Sequence, residues 1–344
     1  MNIAISSMYL PSGSKIGVGY QVHYLANALI KRGHKVTVFS QTGASKDFLY
    51  DVVIVPSGNR FRTFGFAWNL RKYDFTRFDV LNAHGDDWFL WGCNLPRHIH
   101  TFHGSYFAEM LNIKPIREKL RMAILALCEY GSCLLADELV AVSECTRKYL
   151  PLVKRVIPDG VNLDVFHPAK EKSTNPSLLF VGTMRYRKRG AMLLDLFKQK
   201  IRRAIPKSEF WAVCEERVDG EGVRWFGRLP TNELADLYRR AWVFCLPSTY
   251  EGFGVPYIEA MASGTPVVAS PNVGAIEVTE NGKYGLIAKD KDLAETLVQV
   301  LTDSSLRKKL REDGLKRAQD FSWDMVCARY EAIYANNGRR SEGV

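Results

Sequence analysis

A length of 344 residues predicts two domains, and 47% hydrophobic with 24% charged residues is the composition of a soluble globular protein. No segment reaches the roughly 18 apolar residues that a membrane-spanning helix needs, and Met1–Ser6 lacks the pattern of an export signal. Seven cysteines without a CxxC pair suggest neither a disulfide framework nor a zinc site, so a cytoplasmic protein is expected. The net charge of +10 fits nucleic acid, an anionic membrane or an anionic substrate equally well.

Short apolar runs alternate with helical patterns through the first half of the chain. Between the first two runs, Val22, Leu25, Ala26 and Leu29 recur at i, i+3, i+4 and i+7, and Gly33 is placed to end that helix. This alternation predicts a parallel sheet covered by helices. The predicted strands are Ile3–Ser6, Val36–Ser40, Val52–Val55, Val80–Ala83, His100–His103 and Leu139–Val142.

A second α/β series begins after a turn-rich stretch at Val156–Asn162. The domains are therefore predicted as residues 1–157 and 158–321, followed by a terminal helix at Trp323–Tyr334 within a segment, 322–344, that returns towards the first domain. Predicted strands are Leu178–Gly182, Phe210–Val213, Val223–Gly227, Val243–Leu246, Val267–Ser270 and Gly285–Ala288, with helices near 190–203, 231–240, 256–263, 290–302 and 304–319.

The segment between Glu251 and Glu259 carries the strongest functional pattern. A predicted strand ends in a Gly-x-Gly turn, and Pro256 lies near the first turn of the next helix, where its missing N–H costs nothing. Free backbone amides and the positive end of the helix dipole then form a binding site for a diphosphate. The carboxylates of Glu251 and Glu259 flank this binding site, so one can accept hydrogen bonds from sugar hydroxyls and the other from ribose hydroxyls. The amides belong to Gly252, Phe253, Gly254 and Val255.

Four motifs together resemble the large retaining glycosyltransferases of family 4. They are the E-x7-E pair, Pro158-Asp-Gly-Val-Asn with Phe166-His-Pro168, Val181-Gly182 with Lys188, and Thr101-Phe-His103-Gly104. The resemblance implies an α/β protein of the GT-B fold, with two Rossmann-like domains facing each other across a cleft. It also implies transfer of a hexose from a UDP- or GDP-sugar to a hydroxyl acceptor, with retention of anomeric configuration and without a cofactor.

The same resemblance assigns roles in the first half of the chain. Gly17 and Gly19 precede the first helix where the family has a glycine-rich loop near the donor phosphates, although a plain strand-to-helix turn remains an alternative. His103 ends a predicted strand and would line the donor sugar.

A basic loop follows the first strand of the second half. The family's usual arginine position holds Thr183, so the diphosphate charge is assigned to the cluster, with Lys188 preferred over Arg185, Arg187 and Arg189. A solvated basic loop remains the alternative. The catalytic candidates are therefore His103, Lys188 and Glu251, and the donor-binding candidates are Gly17, Gly19, Arg185, Arg189, Gly252, Phe253, Gly254, Val255 and Glu259.

No metal site is predicted. Asp290-Lys-Asp292 has the spacing of a metal motif, but it lies where a helix begins, and acidic residues are favoured there as caps. His98 and His100 are interpreted as ordinary strand residues.

Other functional classes remain open. A nucleotide-sugar epimerase or a phosphorylase can use the same fold. A basic nucleic-acid-binding protein would use Arg185–Arg189 with Arg202, Arg203 and Lys207, but no recognition motif accompanies this patch.

The segment Lys114–Leu127 has the pattern of a basic amphipathic helix. Its apolar side either packs on the domain's own sheet or lies on anionic lipid, which would indicate a lipid-linked acceptor and weak peripheral membrane contact. The apolar side contains Ile116, Leu120, Ala123, Ile124 and Leu127, and the basic side contains Lys114, Arg117 and Arg121.

Overall fold

The structure is a computed structural model that describes residues 1–11, 17–43, 47–58, 61–113 and 115–336. The chain divides into two compact units, Met1–Gly160 together with Trp323–Val344, and Val161–Ser322. The divide follows Gly160, a few residues beyond the sequence-based boundary after Ile157, and the terminal helix belongs to the first unit. The end of the predicted tail, residues 337–344, lies outside the described residues.

The first unit is built on seven parallel strands in the order β3-β2-β1-β4-β5-β6-β7. The strands are β1 Asn2–Ser6, β2 Lys35–Ser40, β3 Asp51–Ile54, β4 Val80–Ala83, β5 Arg97–Phe102, β6 Glu138–Ala141 and β7 Arg155–Val156. The helices are α1 Gly17–Lys31, α2 Arg62–Leu70, α3 Tyr106–Asn112, α4 Ile116–Leu135, α5 Glu144–Tyr149 and, from the chain's end, α13 Trp323–Tyr334.

Helix α1 forms because its apolar residues share one side. Val22, Leu25, Ala26 and Leu29 are all buried in the core beneath the sheet. Gly33 ends the helix with a φ of +90°, a conformation that glycine adopts without the steric cost of a Cβ.

Helix α13 is held to the first unit by buried and exposed polar contacts. Asn82 donates from Nδ2 to the hydroxyl of Tyr334 at 2.8 Å, and both residues are buried. At the surface, Arg32 makes a two-point contact with the Glu331 carboxylate at 2.8 and 2.7 Å. The last helix therefore completes the first unit although it follows the second in sequence.

The second unit contains six parallel strands in the order β10-β9-β8-β11-β12-β13. The strands are β8 Ser177–Val181, β9 Glu209–Val213, β10 Val223–Trp225, β11 Val243–Leu246, β12 Val267–Ala269 and β13 Leu286–Ile287. The helices are α6 Gly190–Leu196, α7 Arg202–Ala204, α8 Thr231–Arg240, α9 Val255–Ala262, α10 Val273–Val278, α11 Leu293–Thr302 and α12 Ser304–Gln319.

Two predicted elements differ from the structure, and one short strand was not predicted. The helix expected at 190–203 is interrupted by a π-helical turn at Phe197–Ile201 between α6 and α7. Strand β5 begins at Arg97, so His98 and His100 lie inside it and His103 follows its end. The two-residue strand β7 was not predicted, because so short a run carries no periodic pattern.

Each sheet reverses its strand order at one point, between β1 and β4 in the first unit and between β8 and β11 in the second. In open parallel sheets, ligands bind beyond the carboxyl ends of the strands at such a switch point. The residues that follow β1 and β4 in the first unit, and β8 and β11 in the second, therefore lie where a ligand is expected. No helix in the described ranges is long and apolar enough to cross a membrane.

Candidate functional site

A buried ion pair occupies the switch point of the second unit. Glu251, after β11, is 5% exposed, and one carboxylate oxygen lies 2.7 Å from the Nζ of Lys188, in the loop after β8. The other oxygen lies 3.1 Å from Nη1 of Arg187. The structure thus brings together two of the predicted catalytic residues through a direct contact.

The protonation of this pair follows from burial and charge. Burial alone would raise the pKa of Glu251, but the Lys188 and Arg187 cations outweigh it and hold that pKa below its usual range. Burial lowers the pKa of the Lys188 ammonium, and the facing Glu251 carboxylate opposes the shift. The Glu251 side chain is therefore an ionised acceptor at neutral pH.

The Gly-x-Gly turn leads directly into α9. Gly254 has a φ of +108°, and a Cβ there would lie 2.5 Å from the Tyr257 ring, so the turn requires glycine. The amides of Gly252, Phe253, Gly254 and Val255 donate no hydrogen bond to any described residue. Four unused donors at a helix N-terminus are an arrangement that favours anions, and the diphosphate site stays a prediction.

Glu259 lies one turn into α9 and is half-buried. Burial lowers the pKa of Lys188, which the Glu259 charge opposes as a smaller effect, and burial raises the pKa of Tyr238, to which Glu259 adds. The second glutamate of the motif is therefore electrostatically coupled to the same lysine as the first.

Residues outside the motif support the turn. Asn272 donates from Nδ2 to the carbonyl of Ser248 at 3.2 Å and contacts the Tyr257 hydroxyl at 3.1 Å. Gly274 packs so closely on the turn that a Cβ would clash with the Phe253 carbonyl oxygen. Sequence reasoning missed these two residues, because their partners lie some twenty residues away in the chain.

Arg189 makes a long-range ion pair within the second unit, and its donor-binding role stays a prediction. Its backbone is left-handed, with a φ of +54°, and its guanidinium contacts the Asp290 carboxylate at 2.7 and 2.6 Å. It also donates to the Pro247 carbonyl at 2.7 Å and to the Ser270 hydroxyl at 3.0 Å. Arg189 therefore joins the loops after β11 and β12, whereas Arg185 is exposed.

The predicted capping role of Asp290-Lys-Asp292 is wrong. Asp290 pairs with Arg189 instead, and α11 begins at Leu293 with Asp292 in the N-cap position but without a side-chain capping hydrogen bond. Proximity to a helix start suggested a cap, whereas the long-range ion pair determines the position of Asp290. In the described part of the chain, no three His, Cys, Asp or Glu side chains are grouped so that they could hold a metal ion.

A chain of hydrogen-bonding groups lies at the ends of β4 and β5 in the first unit. His103 Nδ1 is 3.1 Å from Asp159 Oδ1, and His103 Nε2 is 2.7 Å from His84 Nδ1. Because the carboxylate can only accept, Nδ1 of His103 donates, and in the neutral ring Nε2 then accepts from His84. Sequence reasoning found His103 but gave no role to Asp159 or His84.

The remaining nitrogen of His84 is left as an acceptor. It is buried and has no hydrogen-bond partner among the described residues. Burial, with the neighbouring His103 and His100, lowers the pKa of His84 well below its usual range, so the ring is neutral. A hydroxyl group of a ligand would satisfy this nitrogen.

His84 and His103 line a cavity of about 180 Å³ within the first unit. Glu129 of α4 also lines it, held by the Ser105 hydroxyl at 3.2 Å, and burial raises its pKa to about 8. Asp86, in a left-handed conformation nearby in sequence, has a pKa raised to about 7, chiefly by burial. Of the groups that line the cavity, the His84 ring and the Glu129 carboxyl are therefore largely uncharged at neutral pH.

His98 and His100 have a structural role. Both lie 2.8 Å from the same oxygen of the fully buried Asp87, and these histidines, after burial, determine the pKa of Asp87, which stays below its usual range. Because they are two positions apart in β5, their side chains lie on the same side of the sheet and contact the same carboxylate.

The glycines near the start of the chain do not form a loop before α1. Gly17 and Gly19 lie inside its first turn, while residues 12–16 fall outside the described ranges. A Cβ at Gly19 would lie 2.7 Å from the carbonyl oxygen of Tyr9, so this glycine permits close helix packing. Val18, between them, lines the cavity of the first unit.

Family models match both halves of the chain. Residues 16–165 match the model described as Glycosyltransferase Family 4, and residues 164–317 match that described as Glycosyl transferases group 1. Both models describe glycosyltransferases, and together they cover residues 16–317. The two matched segments meet near the divide between its two units.

Two curated relatives illustrate the similarity. O-antigen chain mannosyltransferase B of Escherichia coli is 33% identical over 162 residues, which cover 42% of this chain and 42% of that protein. D-inositol 3-phosphate glycosyltransferase of Corynebacterium diphtheriae is 24% identical over 94% of this chain and 91% of that protein.

Solved structures share the GT-B fold of this chain. Sucrose-phosphate synthase of Thermosynechococcus elongatus superposes with a TM-score of 0.79 at 21% identity, over 97% of this chain and 98% of that one. Anabaena HepE, solved in complex with UDP-glucose, superposes with a TM-score of 0.77 at 15% identity, over 97% and 99%.

Replacing Gly274 with alanine tests the support of the glycine-rich turn. We expect Gly274→Ala to destabilise the protein by about 1–3 kcal/mol, because the Cβ meets backbone that cannot rotate away. Denaturant unfolding measures the change. Gly43→Ala is the control, since a Cβ there meets nothing within 4 Å. Equal unfolding midpoints for Gly274→Ala and the wild type would contradict the packing argument.

Proposed function

We propose that this protein transfers a hexose from a nucleoside-diphosphate sugar, with UDP and GDP as the candidate nucleotides, to a hydroxyl acceptor with retention of configuration. The observation that carries the proposal is the Lys188–Glu251 pair beside four unused amides at the N-terminus of α9. Diphosphate, sugar hydroxyls and ribose hydroxyls each find a suitable partner in this arrangement.

The diphosphate is proposed to lie against the turn. Anions bind where free amides and the helix dipole point together, and the Lys188 and Arg187 cations add attraction. Arg185, exposed in the same loop, contributes further positive charge, whereas Arg189 orders the site through Asp290. Electrostatic stabilisation of the departing diphosphate is then the main contribution of the second unit to catalysis.

Neither glutamate is proposed as a nucleophile. The Glu251 carboxylate is paired with two cations, which reduces its reactivity and leaves it suited to accept from the sugar hydroxyls. Glu259 is assigned to the ribose hydroxyls. The acceptor hydroxyl would attack from the leaving-group side, and the departing phosphate would take its proton.

The polar cavity of the first unit is proposed to receive a hydroxyl-bearing group. His84 Nε2 is an unused buried acceptor, and His103 is oriented by Asp159. Glu129, with its pKa near 8, can donate as a protonated carboxyl group at neutral pH. These three groups favour a polyol or sugar over an anionic acceptor group.

The alternatives are less well supported. An epimerase would turn over donor without acceptor, which product analysis distinguishes. A nucleic-acid-binding surface at Arg185–Arg189 is disfavoured because Glu251 and Asp290 already neutralise part of it.

Donor binding tests the assignment of Glu259. A panel of UDP- and GDP-sugars in a thermal-shift assay identifies the donor, since a ligand at a hundred times its Kd stabilises by about 2.7 kcal/mol. We expect Glu259→Ala to weaken binding of that donor about tenfold or more, because a charged hydrogen bond is lost. Glu312→Ala, at an exposed position of α12, is the control and should bind normally. Wild-type affinity in a folded Glu259→Ala protein would refute the ribose assignment.

Metal independence is a second expectation. Activity should survive excess EDTA, because the basic groups after β8 can balance the diphosphate charge and Asp290 is engaged by Arg189. Turnover before and after chelation measures this. Loss of activity that manganese or magnesium restores would show that a divalent cation takes part.

The stereochemical outcome is a third expectation. The product should keep the anomeric configuration of the donor, as the resemblance to retaining enzymes implies. Proton NMR of the freshly formed product, recorded before any mutarotation, distinguishes the two anomers. An inverted product would place the chain in a different mechanistic class.

A further inference from the structure

Helix α4 presents an apolar stripe to solvent from its first turn to its last. Ile116, Leu120, Ile124, Leu127 and Leu134 are 79%, 64%, 45%, 73% and 57% exposed. Their spacing at three, four and seven residues places them on one side of the helix. Single exposed aliphatic residues are ordinary on protein surfaces, whereas a continuous row marks an interaction site.

The opposite side of α4 is the one that packs on the unit. Met122 and Leu125 are buried in a cluster with Trp88, and Glu129 and Ser132 reach the polar groups near the sheet. The expectation that the predicted apolar stripe packs on the domain's own sheet is therefore wrong. The buried cluster around Trp88 contains none of the stripe residues.

Basic side chains border the stripe. At 100° per residue, Arg117 and Arg121 lie along one edge and Lys119 along the other. The one acidic residue among them, Glu118, lies 3.5 Å from Arg121 and cancels part of its charge. Lys114, also expected on the basic side, lies outside the described residues. The border therefore keeps a net positive charge.

Neighbouring helices add exposed apolar residues. Phe107 and Leu111 of α3 are 37% and 54% exposed, and Trp68 of α2 is 57% exposed. Helices α2, α3 and α4 all contribute to one cluster beneath them, through residues that include Phe64, Met110 and Met122. Exposed aliphatic and aromatic residues together with basic ones are typical of a helix surface that lies on a membrane.

We propose that this α3–α4 surface, defined by the α4 stripe with Phe107 and Leu111, docks on an anionic lipid membrane. The stripe enters the headgroup region, and Arg117, Lys119 and Arg121 contact the lipid phosphates. Each basic residue near an anionic surface strengthens binding about fivefold, so the attachment is reversible and salt-sensitive. A second copy of the chain is a poorer occupant, because pairing two such surfaces brings like charges together.

The consequence for the reaction rests on the proposed function. A transferase docked through its first unit would act on an acceptor carried by lipid. Vesicle binding needs neither donor nor acceptor, so its failure and failure of the glycosyl transfer are observed separately.

Flotation of the full chain with vesicles tests the surface. The probes are vesicles of phosphatidylcholine alone and of equal parts phosphatidylcholine and phosphatidylglycerol. We expect the protein to float with the anionic vesicles at low salt, to be released at high salt, and to remain unbound with the neutral vesicles.

Paired variants separate the apolar and charged contributions. Leu120→Gln with Leu127→Gln keeps helix propensity and should weaken anionic-vesicle binding about tenfold or more. Arg117→Ser with Arg121→Ser should weaken it about 25-fold, at about fivefold for each arginine. Lys308→Ser with Lys309→Ser removes the same charge from exposed positions of α12 and should change binding little. Unchanged unfolding midpoints show that the variants fold.

Three outcomes would overturn the proposal. The first is that the wild type stays unbound with anionic vesicles at low salt. The second is that the α12 control weakens binding as much as the α4 variants do. The third is a wild-type dimer in light scattering that Leu120→Gln with Leu127→Gln converts to a monomer, which would assign the surface to a second copy.

Discussion

The site of the second unit depends on one buried pair of opposite charges. A carboxylate as enclosed as Glu251 is stable only when a cation compensates for the lost water, and Lys188 supplies it at 2.7 Å. To make that contact, the loop after β8 must fold over the end of β11. The pair thus links strands on both sides of the switch point and holds the glycine-rich turn beside them.

The first unit meets the same constraint through contacts between histidines and carboxylates. Its polar residues beyond β4 and β5 are buried, so they satisfy one another: Asp87 receives two histidines, and Asp159 orients His103. Some buried atoms there have no partner among the described residues, and one of them, Nε2 of His84, belongs to a residue that lines the cavity. An unsatisfied buried acceptor costs stability unless a ligand occupies it, which supports a role in binding.

Sequence patterns predicted the local features well. The alternation of strands and helices, the Gly-x-Gly turn and Pro256 each depend on residues close together in the chain, where geometry follows from residue type. Contacts between distant residues were not predictable in this way. Arg189 and Asp290 are 101 positions apart, so the arginine was assigned to phosphate and the aspartate to a cap. Nor could a helical wheel of α4 decide between two apolar sides, since Met122 and Leu125 compete with the outer stripe.

The two sides of α4 have different surroundings, although both belong to one rigid helix. Leu127 faces solvent, while Glu129, two residues later, lines the polar cavity. A helix of 20 residues is about 30 Å long and does not bend easily, so a surface that binds its outer side also determines the orientation of the cavity. Docking on lipid would then hold the cavity at a constant height above the headgroups, which favours acceptors whose hydroxyl lies at that height.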